Sequence, residues 1–131
     1  MNLNVRATEE LKDGEVLISG DSKDLVELGR WLEGGGHGQV LVPVMPNGIY
    51  KVNLKEIRFD VDFFISQRRI KLSILDGILI FEVGSEVAKT LGEALQDFFS
   101  DPVERLSHFH LDSFDNFYMD ECPTTLTFLY R

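Results

Sequence analysis

The sequence predicts an α+β domain, a largely antiparallel sheet with two helices packed on one side. Three observations predict it. Period-two alternation recurs along the chain, most clearly where Ile57, Phe59, Val61 and Phe63 share one face and Glu56, Arg58, Asp60 and Asp62 the other. Two stretches instead repeat their apolar residues every three or four positions, the spacing of a helix face. Strand-like stretches outnumber the two helical ones, which argues for an antiparallel sheet carrying helices on one side. The 131 residues are 44% apolar, enough for one domain with a real core.

Taken in order, Leu3, Val5 and Ala7 alternate with Asn4 and Arg6 as a strand. Lys12-Asp13-Gly14 turns the chain into a hairpin partner over residues 15–19. Asp21 or Ser22 can cap a helix, since either side-chain oxygen accepts from first-turn backbone N–H groups. Leu25, Leu28 and Leu32 follow at helical spacing, with Trp31 beside them, and Gly34-Gly35-Gly36 ends the run. Residues 39–44 are short and apolar, and Pro43 marks an edge or a strand end. Pro46-Asn47-Gly48 is a turn, and the alternating strand through Phe63 comes next. Ile70, Leu72 and Ile74 alternate before Asp76-Gly77, a pair suited to the positive φ angles of a type I′ turn, which leads into residues 78–83. Ser85 is the expected cap of a second helix with Val87, Leu91, Leu95 and Phe98 inward, and Asp101-Pro102 stops it. Strands at about 107–112 and 124–130 complete the pattern. No internal repeat, linker or low-complexity segment interrupts the single domain over residues 1–131.

Several function classes are disfavoured. No apolar run approaches the ~20 residues of a membrane span. The start, MNLNVRATEELKDGE, lacks a basic region leading into an apolar stretch, so no signal peptide is expected. The single Cys122 cannot form an internal disulfide, which fits a reducing cytoplasm. The net charge of −9 is unevenly placed: residues 1–75 hold 11 acids against 10 bases, residues 76–131 hold 11 against 3. Such a field repels phosphate backbones and anionic lipid and attracts cationic partners, so neither nucleic acid nor membrane is an expected ligand.

The tail carries the candidate site. On a strand, Phe109 and Leu111 point one way and His108, His110 and Asp112 the other. If the apolar pair enters the core, two imidazoles and a carboxylate face outward together. Two histidines at that spacing can share a metal with Asp112 as third ligand, whereas an exposed polar face or a histidine-bearing interface needs no further residues. Asp115, Asp120 and Glu121 lie among Phe114, Phe117 and Tyr118, without the spacing and glycine of a calcium loop. Gly34-Gly35-Gly36-His37-Gly38 follows a helix and lacks the lysine and hydroxyl residue of a phosphate loop, so it reads as a helix terminator. Cys122, in a loop before Pro123, carries no sign of activation as a nucleophile. Asp60 and Asp62 read as the wet side of a strand. No catalytic residue and no cofactor is expected.

The strand His108-Phe109-His110-Leu111-Asp112 is followed by Phe117-Tyr118-Met119, a polar turn from Asp120 to Pro123 and the apolar run Leu126-Thr127-Phe128-Leu129. Together they resemble the C-terminal end of small immunity proteins of bacterial polymorphic toxin systems. Gly20-Asp21-Ser22-Lys23-Asp24-Leu25, entering the first helix, is similar as well. The resemblance implies a soluble cytoplasmic protein that acts by binding and neutralises a toxin domain encoded beside it. Acidic charge would speed its encounter with a basic toxin, and aromatics would anchor the contact. The expected partner-binding residues are His108, His110, Asp112, Asp115, Phe117, Tyr118, Asp120 and Glu121. Two other readings stay open: a small metal-binding protein or metal-dependent enzyme using His108, His110 and Asp112, and an acidic adaptor or assembly subunit.

Overall fold

A hairpin of β1 (Asn4–Ala7) and β2 (Glu15–Gly20) leads into helix α1 (Ser22–Glu33), then β3 (Gly38–Leu41) and β4 (Glu56–Asp62). A second hairpin, β5 (Lys71–Leu75) and β6 (Ile78–Gly84), leads into α2 (Ser85–Ser100), then β7 (His108–Leu111) and β8 (Thr125–Tyr130). The computed structural model describes residues 1–43, 52–100, 107–112, 117–119 and 124–131, and these elements are those of the described residues. The expected α+β class is observed.

The strands form two four-stranded sheets rather than one, in the orders β1-β2-β8-β7 and β3-β4-β6-β5. Each sheet is antiparallel at its margins and parallel at its centre, where β2 meets β8 and β4 meets β6. The division follows from a duplicated path that the sequence hides. The chain runs twice through hairpin, helix, hairpin, and each sheet takes the first hairpin of one pass and the second of the other. Equivalent positions keep register: Ile18 pairs with Phe128 as Phe81 pairs with Phe59. The turn carbonyls of Gly14 and Gly77 accept from Thr125 N (3.0 Å) and Lys55 N (2.9 Å) respectively. Sequence reading finds no repeat because the matches between the passes are sparse, chiefly Asp13-Gly14 with Asp76-Gly77, Leu28-Gly29 with Leu91-Gly92 and Leu32 with Leu95.

Each sheet buries one face. Val5, Ala7, Val16, Ile18, Leu126 and Phe128 are inward in the first, and Ile57, Phe59, Leu79, Phe81 and Val83 in the second. The two inner faces and both helices share one apolar cluster. Burying a large apolar side chain contributes about 1.5–3 kcal/mol, so this cluster is what offsets the chain entropy. Aromatic rings join the parts edge-on: Trp31 of α1 lies 5.2 Å from Phe59, and Phe98 of α2 lies 5.6 Å from Phe109.

Local expectations are largely met. Asp21 is the cap of α1, accepting from Asp24 N at 2.9 Å. Gly34 closes the helix, its N–H bonding to Arg30 O, and Gly35 follows at φ +78°. The Asp76-Gly77 turn has φ +52° and +77°, with Leu75 paired to Ile78 across it. β3 is an edge strand, as Pro43 implied.

Three expectations are corrected. Phe98 is 37% exposed, and Phe99 (1%) takes its core position, continuing the step of four from Leu95. Phe63 is 62% exposed because β4 ends at Asp62. The backbone N–H of Glu86 in the first turn of α2 bonds to the Ser66 carbonyl at 2.8 Å, so a preceding loop helps cap the helix that Ser85 was expected to cap. The Pro46-Asn47-Gly48 turn and the Asp101-Pro102 stop lie outside the described residues.

Candidate functional site

Between β4 and β5 the chain leaves the sheet as a short loop, and Asp62 determines its shape. One oxygen of its carboxylate, Oδ1, accepts from Phe64 N and Ile65 N, both at 2.9 Å. The other, Oδ2, accepts from Arg68 Nε at 3.2 Å. An aspartate that bonds to the backbone just ahead offers the chain an alternative to the sheet ladder, so the strand stops there. The far end is tied down as well: Gly84 N donates to Arg68 O at 2.7 Å, and Glu86 N donates to Ser66 O. The Ile65 N–H holds the Asp62 carboxyl below the ordinary aspartate range against some desolvation, with the Phe64 N–H and the Arg68 guanidinium adding to the effect. The carboxylate that pins the loop therefore stays charged at neutral pH.

The pinned loop displays three consecutive apolar residues. Phe63 is 62% exposed, Phe64 fully exposed and Ile65 53% exposed. The Phe63 ring lies over Gly35, where an added Cβ would come within 3.1 Å of it. Phe64 has no such cover. Beside the tip is an open groove of about 390 Å³ lined by Asp60, Asp62, Glu82 and Arg68 together with Phe63 and Phe64. Asp60 and Glu82 sit directly opposite each other across the parallel β4–β6 pair, two like charges on one outward face. Such a pair is mildly destabilising to the sheet; Lys71 of β5 stands opposite Glu82 on its other side, and a further cationic group beside Asp60 could relieve the remainder.

The expected tail residues divide between two places. His108 and His110 are exposed on edge strand β7, while Leu111 is buried and Phe109 is half-buried against Phe128. That is the predicted alternation. His110 Nδ1 lies 3.0 Å from Thr127 Oγ1, and the two imidazole centroids are 6.2 Å apart. Asp112 is half-buried just beyond the strand. Among the described residues, no group of three or more His, Cys, Asp or Glu is placed to hold a metal ion.

Phe117 and Tyr118 lie elsewhere. Tyr118 O accepts from Ile70 N at 2.6 Å, and buried Met119 forms a parallel bridge with Ile70. This brings the 117–119 segment beside the end of the Asp62 loop. Phe117 is 53% exposed, its ring 5.0 Å from that of Tyr118, and it lines a second groove of about 690 Å³ with Gln67, Arg69 and the outer side of α2. Tyr118 is half-buried and packs on the core. The structure thus joins Phe117 to a loop that sequence reasoning did not select. Asp115, Asp120 and Glu121, like Cys122, lie outside the described residues.

Phe64 and Ile65 were legible in principle. Phe63-Phe64-Ile65 breaks the alternation that precedes it, and three apolar residues in a row after an aspartate cannot all turn inward on one strand. No helix among the described residues is long and apolar enough to cross a membrane. No protein-family model, curated protein or solved structure matches the chain.

Proposed function

We propose that this protein works in the cytoplasm as an immunity protein, binding and neutralising a toxin domain encoded beside it through protein–protein contact. One observation carries the reading: large apolar side chains stand in water on a chain of strongly negative charge. Phe63, Phe64, Ile65 and Phe117 are each more than half exposed. Folding gains little from such residues, and three of them stand consecutively at 63–65, a contiguous exposed apolar set of the kind that interfaces bury as anchors. The net charge of −9 favours a basic partner, whose approach it would accelerate. The outward His108 and His110 suit a contact surface equally well.

The test is co-expression with the product of the neighbouring open reading frame. The expected result is a stable complex and restored growth of cells that the isolated toxin domain arrests. A neighbour that neither arrests growth nor binds would remove the reading.

A further inference from the structure

We infer that the Phe63-Phe64-Ile65 tip is the anchor of the contact surface, and that its partner is a protein presenting a concave apolar pocket rimmed by lysine or arginine. The inference rests on the protein-binding reading above and supplies the site and the chemistry of the partner. The tip is convex and apolar, so what covers it must be concave and apolar. Its conformation is already fixed by the Asp62 carboxylate on Phe64 N, Ile65 N and Arg68 Nε, by the Ser66 carbonyl on Glu86 N in the first turn of α2, and by the Arg68 carbonyl on Gly84 N at the end of β6. A loop ordered in advance loses little conformational entropy on docking, so most of the burial of Phe64 would appear as affinity.

Charge selects the class of partner. Asp60, Asp62 and Glu82 line the groove beside Phe63 and Phe64, and of these Asp62 is partnered by Arg68. Asp60 and Glu82 face each other across the sheet, with Lys71 of β5 opposite Glu82 on its other side, and a cationic rim beside Asp60 would complete the neutralisation as the tip enters its pocket. A second copy of this chain would bring two such carboxylate sets together, each on a molecule of net charge −9. A lipid surface would have to bury the same carboxylates in its headgroup region beside the inserted rings. Both are disfavoured relative to a basic protein.

Photo-crosslinking tests this in growing cells that retain the native gene neighbourhood. Phe64 is replaced by p-benzoylphenylalanine, an aromatic of similar character, with the same group at exposed Gln39 as control. The expected product is an adduct with one protein of basic isoelectric point, formed from position 64 and not from 39. Adding Asp60→Asn and Glu82→Gln should cut its yield about tenfold. An adduct with a second copy of the chain, an adduct with lipid, or no adduct would each overturn the inference. A growth assay separates it from the broader reading. If the neighbouring toxin domain is neutralised equally by the wild type and by folded Phe64→Ser, the tip is not the anchor although the immunity role stands. If position 64 captures a basic protein that does not inhibit growth, the tip stands and the toxin role falls.

Discussion

Gly29 and Gly92 face each other where the two helices meet, and neither has room for a side chain. A Cβ on Gly29 would lie 2.7 Å from the Gly92 carbonyl oxygen, and one on Gly92 would lie 2.3 Å from the Gly29 carbonyl oxygen. The two occupy equivalent positions in the duplicated path, flanked by the pairs Leu28 and Leu91, Leu32 and Leu95, all buried. Equivalent residues that touch each other mark the axis relating the two halves. The close approach there lets each helix lie on its own sheet while sharing one core.

Alanine at either glycine should therefore be destabilising although it is the better helix former. Overpacking against backbone costs about 1–3 kcal/mol, and the gain in helix propensity returns up to about 1 kcal/mol. A net loss is expected in urea unfolding for Gly92→Ala, with Gly34→Ala, whose Cβ would meet nothing closer than 3.5 Å, as the near-neutral control. Equal stability of the two variants would mean that the helices separate easily.

The Asp76-Gly77 turn supplies a second test. Gly77 has φ +77°, and a side chain there would also come within 3.2 Å of Asn53 O. Gly77→Val should cost on the order of 1–2 kcal/mol, because a β-branched residue is strained in the left-handed region. An unchanged melting curve would argue against the turn.

That turn was readable in advance because its determinants are local: two residues that tolerate positive φ, flanked by alternating strands. The two-sheet arrangement was not, since strand partners here come from opposite ends of the chain, as with Ile18 and Phe128. Phe63 shows a different limit. Its period-two position was inward, but the Asp62 carboxylate outcompeted the ladder and turned it out. For the site, the outward His108 and His110 followed directly from alternation. The meeting of Phe117 with the Asp62 loop depends on the Ile70–Tyr118 bond, which no spacing in the sequence encodes.

Asp62 should also leave a mark on acid stability. Its folded pKa is depressed, chiefly by the Ile65 N–H. Its contribution is thus complete above the ordinary aspartate pKa and is lost as pH falls through the lowered folded value. Asp62→Asn should flatten that part of the acid limb. In an NMR titration the Phe64 and Ile65 amides should shift together with the Asp62 carboxyl, and independent midpoints would refute the pinned loop.

Exposure predicts opposite outcomes for two phenylalanines. Phe64→Ser should change unfolding free energy by less than about 0.5 kcal/mol, as is usual for surface sites. Phe99→Ala, at a position 1% exposed, should cost about 3–5 kcal/mol. Comparable losses at both positions would show that Phe64 is covered within the folded protein.

The acidic tail and the aromatics should act on different steps of binding. Asp115, Asp120 and Glu121 belong to residues 76–131, with 11 acids and 3 bases, whose field acts over about a Debye length, ~8 Å at physiological salt. Converting the three to amides should slow association with the proposed partner and flatten its salt dependence, while dissociation changes less. Phe117→Ala removes contact area instead, so it should speed dissociation and leave the association rate nearly constant. Stopped-flow mixing at several ionic strengths, with dissociation followed by chase, separates the two effects. If the amide variant instead dissociates faster at unchanged association rate, those carboxylates make direct buried contacts, and long-range steering is not their role.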